Sequence, residues 1–162
     1  MTTAKTFPIP GKLKAEDLGQ LLELVTDKNV LQLGCHCGRG LVAIARHAKE
    51  VWVLEDFTYT FGLDGIGQEL MANVERYAPP EKEIHLLQGT PLAWVVYDES
   101  HDLRRDLIDV VYRDADRKED TRNLDERLAY GVLRRYGGIY AWHDKERDLK
   151  WLRVEPVNVE VN

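Results

Sequence analysis

Cysteine is nearly absent: the 162 residues contain two, Cys35 and Cys37. A pair one residue apart cannot staple a disulfide scaffold, and without further suitably spaced ligands it cannot build a zinc site. Also lacking is any long uncharged apolar run, which excludes a membrane-spanning helix. The opening Met1-Thr2-Thr3-Ala4-Lys5-Thr6 leads into Pro8-Ile9-Pro10 rather than into a signal-peptide apolar segment. The expectation is a soluble, cytoplasmic protein. Positive charge is short as well. Against 28 Asp and Glu stand 22 Lys and Arg, a net charge of -6. That balance disfavours nucleic acid as a partner, although Arg104, Arg105, Arg134 and Arg135 could form a local patch. With only six prolines and 44% apolar residues the chain is not disordered. Neither linker composition nor internal repeat divides it, so residues 1–162 read as one domain with a core over 14–144 and an extension over 145–162.

What is present is β/α alternation. Leu18, Leu21, Leu22 and Val25 recur at helical spacing and predict a helix over 14–27, followed by an apolar strand over 30–34. Leu33-Gly34-Cys35-His36-Cys37-Gly38-Arg39-Gly40 is then a glycine-rich turn. After it Leu41, Ile44, Ala45 and Ala48 share a helix face, and Val51-Trp52-Val53-Leu54 is a second buried strand. Residues 56–67 read as an aromatic loop, and Ile66, Leu70, Val74 and Tyr77 as a helix stopped by Pro79-Pro80. Ile84-His85-Leu86-Leu87 is a third strand ending at Gln88-Gly89-Thr90. Leu92, Val95 and Val96 suggest a short helix. Ile108 to Tyr112 is a fourth strand, Leu124, Leu128 and Leu133 mark a helix ended by Gly137-Gly138, and Ile139 to Trp142 is a fifth strand. The tail reads as two short strands, Leu149–Val154 and Val157–Val161, separated by Pro156. The fold class expected is α/β: a doubly wound, mostly parallel sheet with flanking helices and a short C-terminal hairpin. A sheet edge left open there could be covered by a second copy of the chain, a homo-oligomer.

The glycine turn after the first strand and Glu55 at the end of the second form the order from which parallel sheets build nucleoside pockets. Glycine at 34, 38 and 40 permits a ligand to approach the backbone, and Glu55, with Asp56 able to share the task, can accept both hydroxyl hydrogens of an unphosphorylated ribose. The spacing Gly-x-x-x-Gly-x-Gly departs from the dinucleotide fingerprint, and no Gly-Lys-Ser or Gly-Lys-Thr ending holds a triphosphate, so nicotinamide cofactors and ATP are disfavoured. Cys35 and Cys37 read either as a redox pair or as small side chains packed beneath the ligand loop.

These pieces resemble the class I S-adenosylmethionine-dependent methyltransferases, in particular the branch related to small-molecule O-methyltransferases. The likeness is carried by Leu33-Gly34 through Gly40, by Glu55-Asp56-Phe57, by Ile108-Asp109 through Asp114-Ala115-Asp116-Arg117, and by Gly137-Gly138 through His143-Asp144. It spans roughly residues 28–144. It departs in Gln32, where an acid is common, in Ala115-Asp116-Arg117, and in the short stretch after Asp144. The resemblance implies S-adenosylmethionine as cofactor and a small-molecule acceptor. Gly34, Cys35, His36 and Gly38 would hold the methionine part, Glu55 the ribose, and Gln88, Gly89 and Thr90 the adenine edge. It also implies a reactive group of Asp114, His143 and Asp144 at the ends of the fourth and fifth strands. Those three would either bind Mg²⁺ or Mn²⁺ and so acidify an acceptor hydroxyl, or act without metal, with His143 as general base oriented by Asp144 or Asp114; a purely structural polar cluster is the third reading. Tyr59, Phe61, Trp142 and Trp151 could wall the acceptor pocket, or Trp142 could simply pack against a helix. Without transfer, the same pocket would serve a noncatalytic binding module.

Overall fold

The structure, a computed structural model, describes residues 9, 14–55, 64–88, 108–114, 119–144, 146 and 148–157. Ten elements follow in order: α1 (Ala15–Val25), β1 (Asn29–Leu33), α2 (Arg39–Ala45), β2 (Glu50–Glu55), α3 (Asp64–Tyr77), β3 (Ile84–Gln88), β4 (Val110–Arg113), α4 (Glu119–Leu133), β5 (Gly138–His143) and β6 (Leu149–Val154). The strands form one sheet in the order β3-β2-β1-β4-β5-β6. The first five are parallel, and β6 runs antiparallel to β5. This is the expected doubly wound sheet. Between β1 and β4 the order of the strands reverses, which opens a crevice at their carboxyl ends.

Burial explains why β1, β2 and β4 read as near-continuous apolar runs: helices cover both faces. On one side Val30, Val51, Val53 and Val110 pack with Leu21, Val25, Leu41, Ile44 and Leu70 from α1, α2 and α3. Facing the other way, Leu31, Leu33, Trp52, Leu54 and Val111 pack with Leu128, Ala129, Val132 and Leu133 of α4. Side chains alternate along a strand. Gln32, Glu55, Tyr112, Asp114 and His143 therefore share the parity of the α1–α3 face, while Arg113 and Trp142 share that of the α4 face. Trp142 stacks on Tyr140 at 5.0 Å as part of the α4 layer, so packing rather than lining the crevice describes it.

Helix α1 is shorter than the pattern over 14–27 suggested. Thr26 ends it, its hydroxyl turning back to the Leu22 carbonyl at 2.7 Å. The fourth strand begins two residues late because Asp109 is a staple at the amino end of the sheet. Its carboxylate accepts the Asn29 amide at 2.9 Å, and its own backbone bonds both Asn29 and Ile139. The hairpin expected at the C-terminal side is present as β5–β6, whose register pairs His143 with Leu149 and Gly138 with Val154. Among the described residues β3 and β6 are the edge strands. The second tail strand past Val157, residues 56–63 of the expected aromatic loop, with Tyr59 and Phe61, and the short helix over 92–96 fall outside the described residues; the last four positions of that loop, Asp64 to Gly67, are instead the first turn of α3. No helix among the described residues is long and apolar enough to cross a membrane.

Candidate functional site

The glycine turn folds because its backbone groups find partners on the strands beside it. Gly34 N–H donates to the Leu54 carbonyl at 2.8 Å, and Gly38 N–H to the Cys35 carbonyl at 2.8 Å. Asn73 of α3 holds the Cys37 carbonyl at 2.8 Å. Glu55 closes the turn from β2: its Oε2 accepts the amide of Cys35 at 2.6 Å and that of His36 at 3.2 Å. The carboxylate expected to face the turn does so, and it ligates the turn itself.

The glycines have a local reason that the sequence left to a ligand. At Gly38, with φ of 91°, a Cβ would lie 2.7 Å from Leu70 Cδ1. At Gly40 it would lie 2.8 Å from Asp114 Oδ2. The protein's own side chains occupy the space that bare backbone leaves open. Cys35 and Cys37 are both buried free thiols. Burial pushes both up, Cys37 to about 11, with the Glu69 carboxylate adding to it. Neither has the thiolate character of a redox pair, so the packed reading holds.

Asp114 sits where β4 meets the crevice. Its Oδ1 accepts the Tyr112 hydroxyl at 3.1 Å, and its Oδ2 lies 3.3 Å from Gln32 Nε2, which also donates to the Gly34 carbonyl at 2.9 Å. The amide at 32 supplies a donor to Asp114 where an acid would oppose it. Burial pushes the Asp114 carboxyl up to about 7; the Tyr112 bond works against that shift and the Glu55 charge adds to it. On β5, His143 Nδ1 lies 3.1 Å from the same Tyr112 hydroxyl. Burial lowers the proton affinity of His143, opposed by the fields of Asp17 and Asp144.

Asp144 is the exception. Its Oδ1 accepts the amides of Glu146 and Asp148, both at 2.9 Å, and its Oδ2 faces Lys150 at 3.6 Å. Those backbone donors, foremost that of Asp148, hold its carboxyl below the usual range. Asp144 caps the β5–β6 turn rather than joining Asp114 and His143. The set expected to hold Mg²⁺ or Mn²⁺ is thus not assembled: one carboxylate is wrapped by the hairpin, and both oxygens of the other are bonded to neighbours. The donors do not fit a cation there. Among the described residues one group does bring ligand atoms within 4.8 Å of one another, Glu50, Glu83 and His85 at the opposite end of the sheet. There His85 Nε2 meets Glu50 at 2.7 Å while the ring stacks on Trp52 at 4.9 Å.

Of the remaining expected residues, Gln88 ends β3 paired with Glu55, while Asp56, Gly89 and Thr90 lie outside the described residues. Two residues at the site escaped the sequence reading. Tyr112 reads as an apolar strand residue, although its place two before Asp114 puts both on one face. Asp17 of α1 carries no signal at all, and its buried Oδ2 has no hydrogen-bond partner among the described residues.

No protein-family model matches the chain, and no curated protein matches it either. Solved structures do. An O-methyltransferase from Bacillus cereus in complex with SAH is 19% identical with a TM-score of 0.59, over 77% of this chain and 53% of that one. A phosphoethanolamine N-methyltransferase from Haemonchus contortus, with phosphoethanolamine and S-adenosylhomocysteine, gives 16% identity and a TM-score of 0.55 over 82% and 26%. An arsenic(III) S-adenosylmethionine methyltransferase from Chlamydomonas reinhardtii gives 16% and 0.54 over 83% and 49%. The chain spans about half the length of the first of these. The fold is that of the class I S-adenosylmethionine-dependent methyltransferases.

Proposed function

We propose that this protein is an enzyme that transfers the methyl group of S-adenosylmethionine to a small-molecule acceptor, at oxygen. The observation that carries the reading is Glu55: a carboxylate at the carboxyl end of β2, 2.6 Å from the turn that follows β1, at the place where the strand order reverses. In this reading Oε1 of Glu55 takes the ribose hydroxyls, and the backbone of Gly34, Cys35, His36 and Gly38 lines the methionine part. Gln88, with Gly89 and Thr90, borders the adenine. When bound, the cofactor supplies an electrophilic methyl group on a sulfonium. The chain's own contribution is to orient the acceptor against it and to take the acceptor's proton at His143, with Asp114 as the acid behind it.

Binding without turnover is the second reading. It is favoured by the direct hairpin from β5 to β6, which leaves no helix between them and places the Asp144 carboxylate in the turn. Calorimetry with S-adenosylmethionine and S-adenosylhomocysteine, followed by a methyl-transfer assay on small hydroxyl-bearing acceptors, decides. Binding with transfer supports the first reading, and binding without transfer across the acceptor panel supports the second. Absence of binding removes both.

A further inference from the structure

Between Asp114 and His143 stands a buried side chain to which neither the motif nor the proposed reaction assigns a task. The Tyr112 hydroxyl lies 3.1 Å from Asp114 Oδ1 and 3.1 Å from His143 Nδ1. A phenol has one proton to give, and above about pH 7, where Asp114 is ionised, its carboxylate only accepts. The proton therefore goes to Asp114, and the contact with the imidazole is a hydrogen bond only if Nδ1 carries hydrogen and donates it to the phenol oxygen. A neutral ring so protonated has its lone pair on Nε2. That atom is buried and has no hydrogen-bond partner among the described residues. Buried polar atoms without partners are rare enough to call for a reason.

We propose that Tyr112 is a positioning residue that joins Asp114 to His143 and holds the imidazole as its Nδ1–H tautomer, so that Nε2 is the nitrogen that receives the acceptor's proton. The inference deepens the methyl-transfer reading and rests on it. It also gives the proton a destination. As the acceptor X–H bond breaks, Nε2–H forms. Nδ1 then releases its hydrogen to the Tyr112 oxygen, and the Tyr112 proton passes to Asp114 Oδ1. The sum is X–H and a carboxylate going to X⁻ and a carboxylic acid, with one negative charge on each side. The buried imidazolium is transient. Asp17, Asp144 and Asp148 favour it electrostatically, while burial and Arg113 oppose it. Gln32, bonded to the other Asp114 oxygen and to the Gly34 carbonyl, couples the end of the chain of bonds to the turn.

The test is nitrogen-15 NMR of the His143 ring in the full chain, in mildly alkaline buffer where Asp114 is ionised. The wild type is expected to show protonated Nδ1 and bare Nε2. Tyr112→Phe, which removes one oxygen and keeps the ring, is expected to shift the population toward the Nε2–H form that an unconstrained imidazole side chain prefers. A wild-type ring protonated chiefly at Nε2 overturns the proposal whether or not the variant folds, as does an unchanged ring in Tyr112→Phe. In turnover, the variant is expected to lose roughly 10²-fold in kcat, the lower range for a positioned general base, with KM for S-adenosylmethionine changed by less than about two-fold. Full kcat in the variant overturns the catalytic assignment. Failure of the wild type to bind S-adenosylmethionine would instead remove the methyl-transfer reading while the tautomer measurement stands by itself.

Discussion

Glu55→Ala separates the two duties of the carboxylate. Removing it deprives two backbone amides of their acceptor. His36 is exposed, so water replaces the lost bond there, but Cys35 is 1% exposed and its amide is left without a partner. A buried amide so stranded costs about 1–3 kcal/mol. The geometry therefore predicts that stability falls along with affinity. For the ligand, loss of two charge-assisted bonds to the ribose diol corresponds to about 2–3 kcal/mol, or roughly 30- to 150-fold in Kd. Glu55→Gln keeps an oxygen for the Cys35 amide and loses the charge, so it should restore most of the stability and only part of the affinity. Urea denaturation and calorimetric titration with S-adenosylhomocysteine read the two effects independently. An alanine variant that binds as tightly as the wild type would refute the ribose assignment, and one with unchanged stability would refute the turn anchor.

Gly38→Ala places a Cβ 2.7 Å from Leu70 Cδ1 at a φ of 91°; the left-handed backbone alone costs about 1–2 kcal/mol, and adding Leu70→Ala should relieve the clash but not that strain. Wild-type denaturation midpoints in both would contradict it. Asp114, held near 7 against an ordinary value of 3.8, is a carboxyl that the folded state prefers protonated. Between about pH 4 and 7 the native protein then binds more protons than the unfolded chain, so stability declines as pH rises through that window and levels off above it. Asp114→Asn should abolish that decline in a pH series of denaturation curves, and an identical slope in the variant would count against the buried acid. Asp144→Ala should lower the melting temperature by roughly a few degrees through the uncapped hairpin, while calorimetry finds S-adenosylhomocysteine affinity within about two-fold of wild type; a collapse of affinity would return Asp144 to the site.

Most of the sheet was legible because β1, β2 and β4 are short apolar runs with both faces buried, a pattern that length and glycine punctuation separate from helix. The meeting of the glycine turn with Glu55 was legible too, since a turn and an acid about twenty residues apart are local signals. The arrangement of the polar strand ends was not. Asp114, His143 and Asp144 stand at neighbouring strand ends, but sequence position does not say which way a side chain past the last paired residue turns. Asp144 follows its hairpin because two backbone amides there outbid the crevice. Tyr112 hid for the opposite reason: a tyrosine in an apolar strand looks like core, and it is core, with only its oxygen employed elsewhere. Gln32 appeared as a lost acid, whereas its amide is the donor that lets Asp114 and the Gly34 carbonyl lie side by side.

Because the Glu55 carboxylate knots the glycine turn to its neighbouring strand, folding alone gives natural selection a ground for keeping it. A descendant with no ligand to hold would still lose stability without an acceptor at that place. Retention of this acid across such descendants would accordingly record the needs of folding, and any catalytic role would have to be read from Tyr112 and its two partners instead.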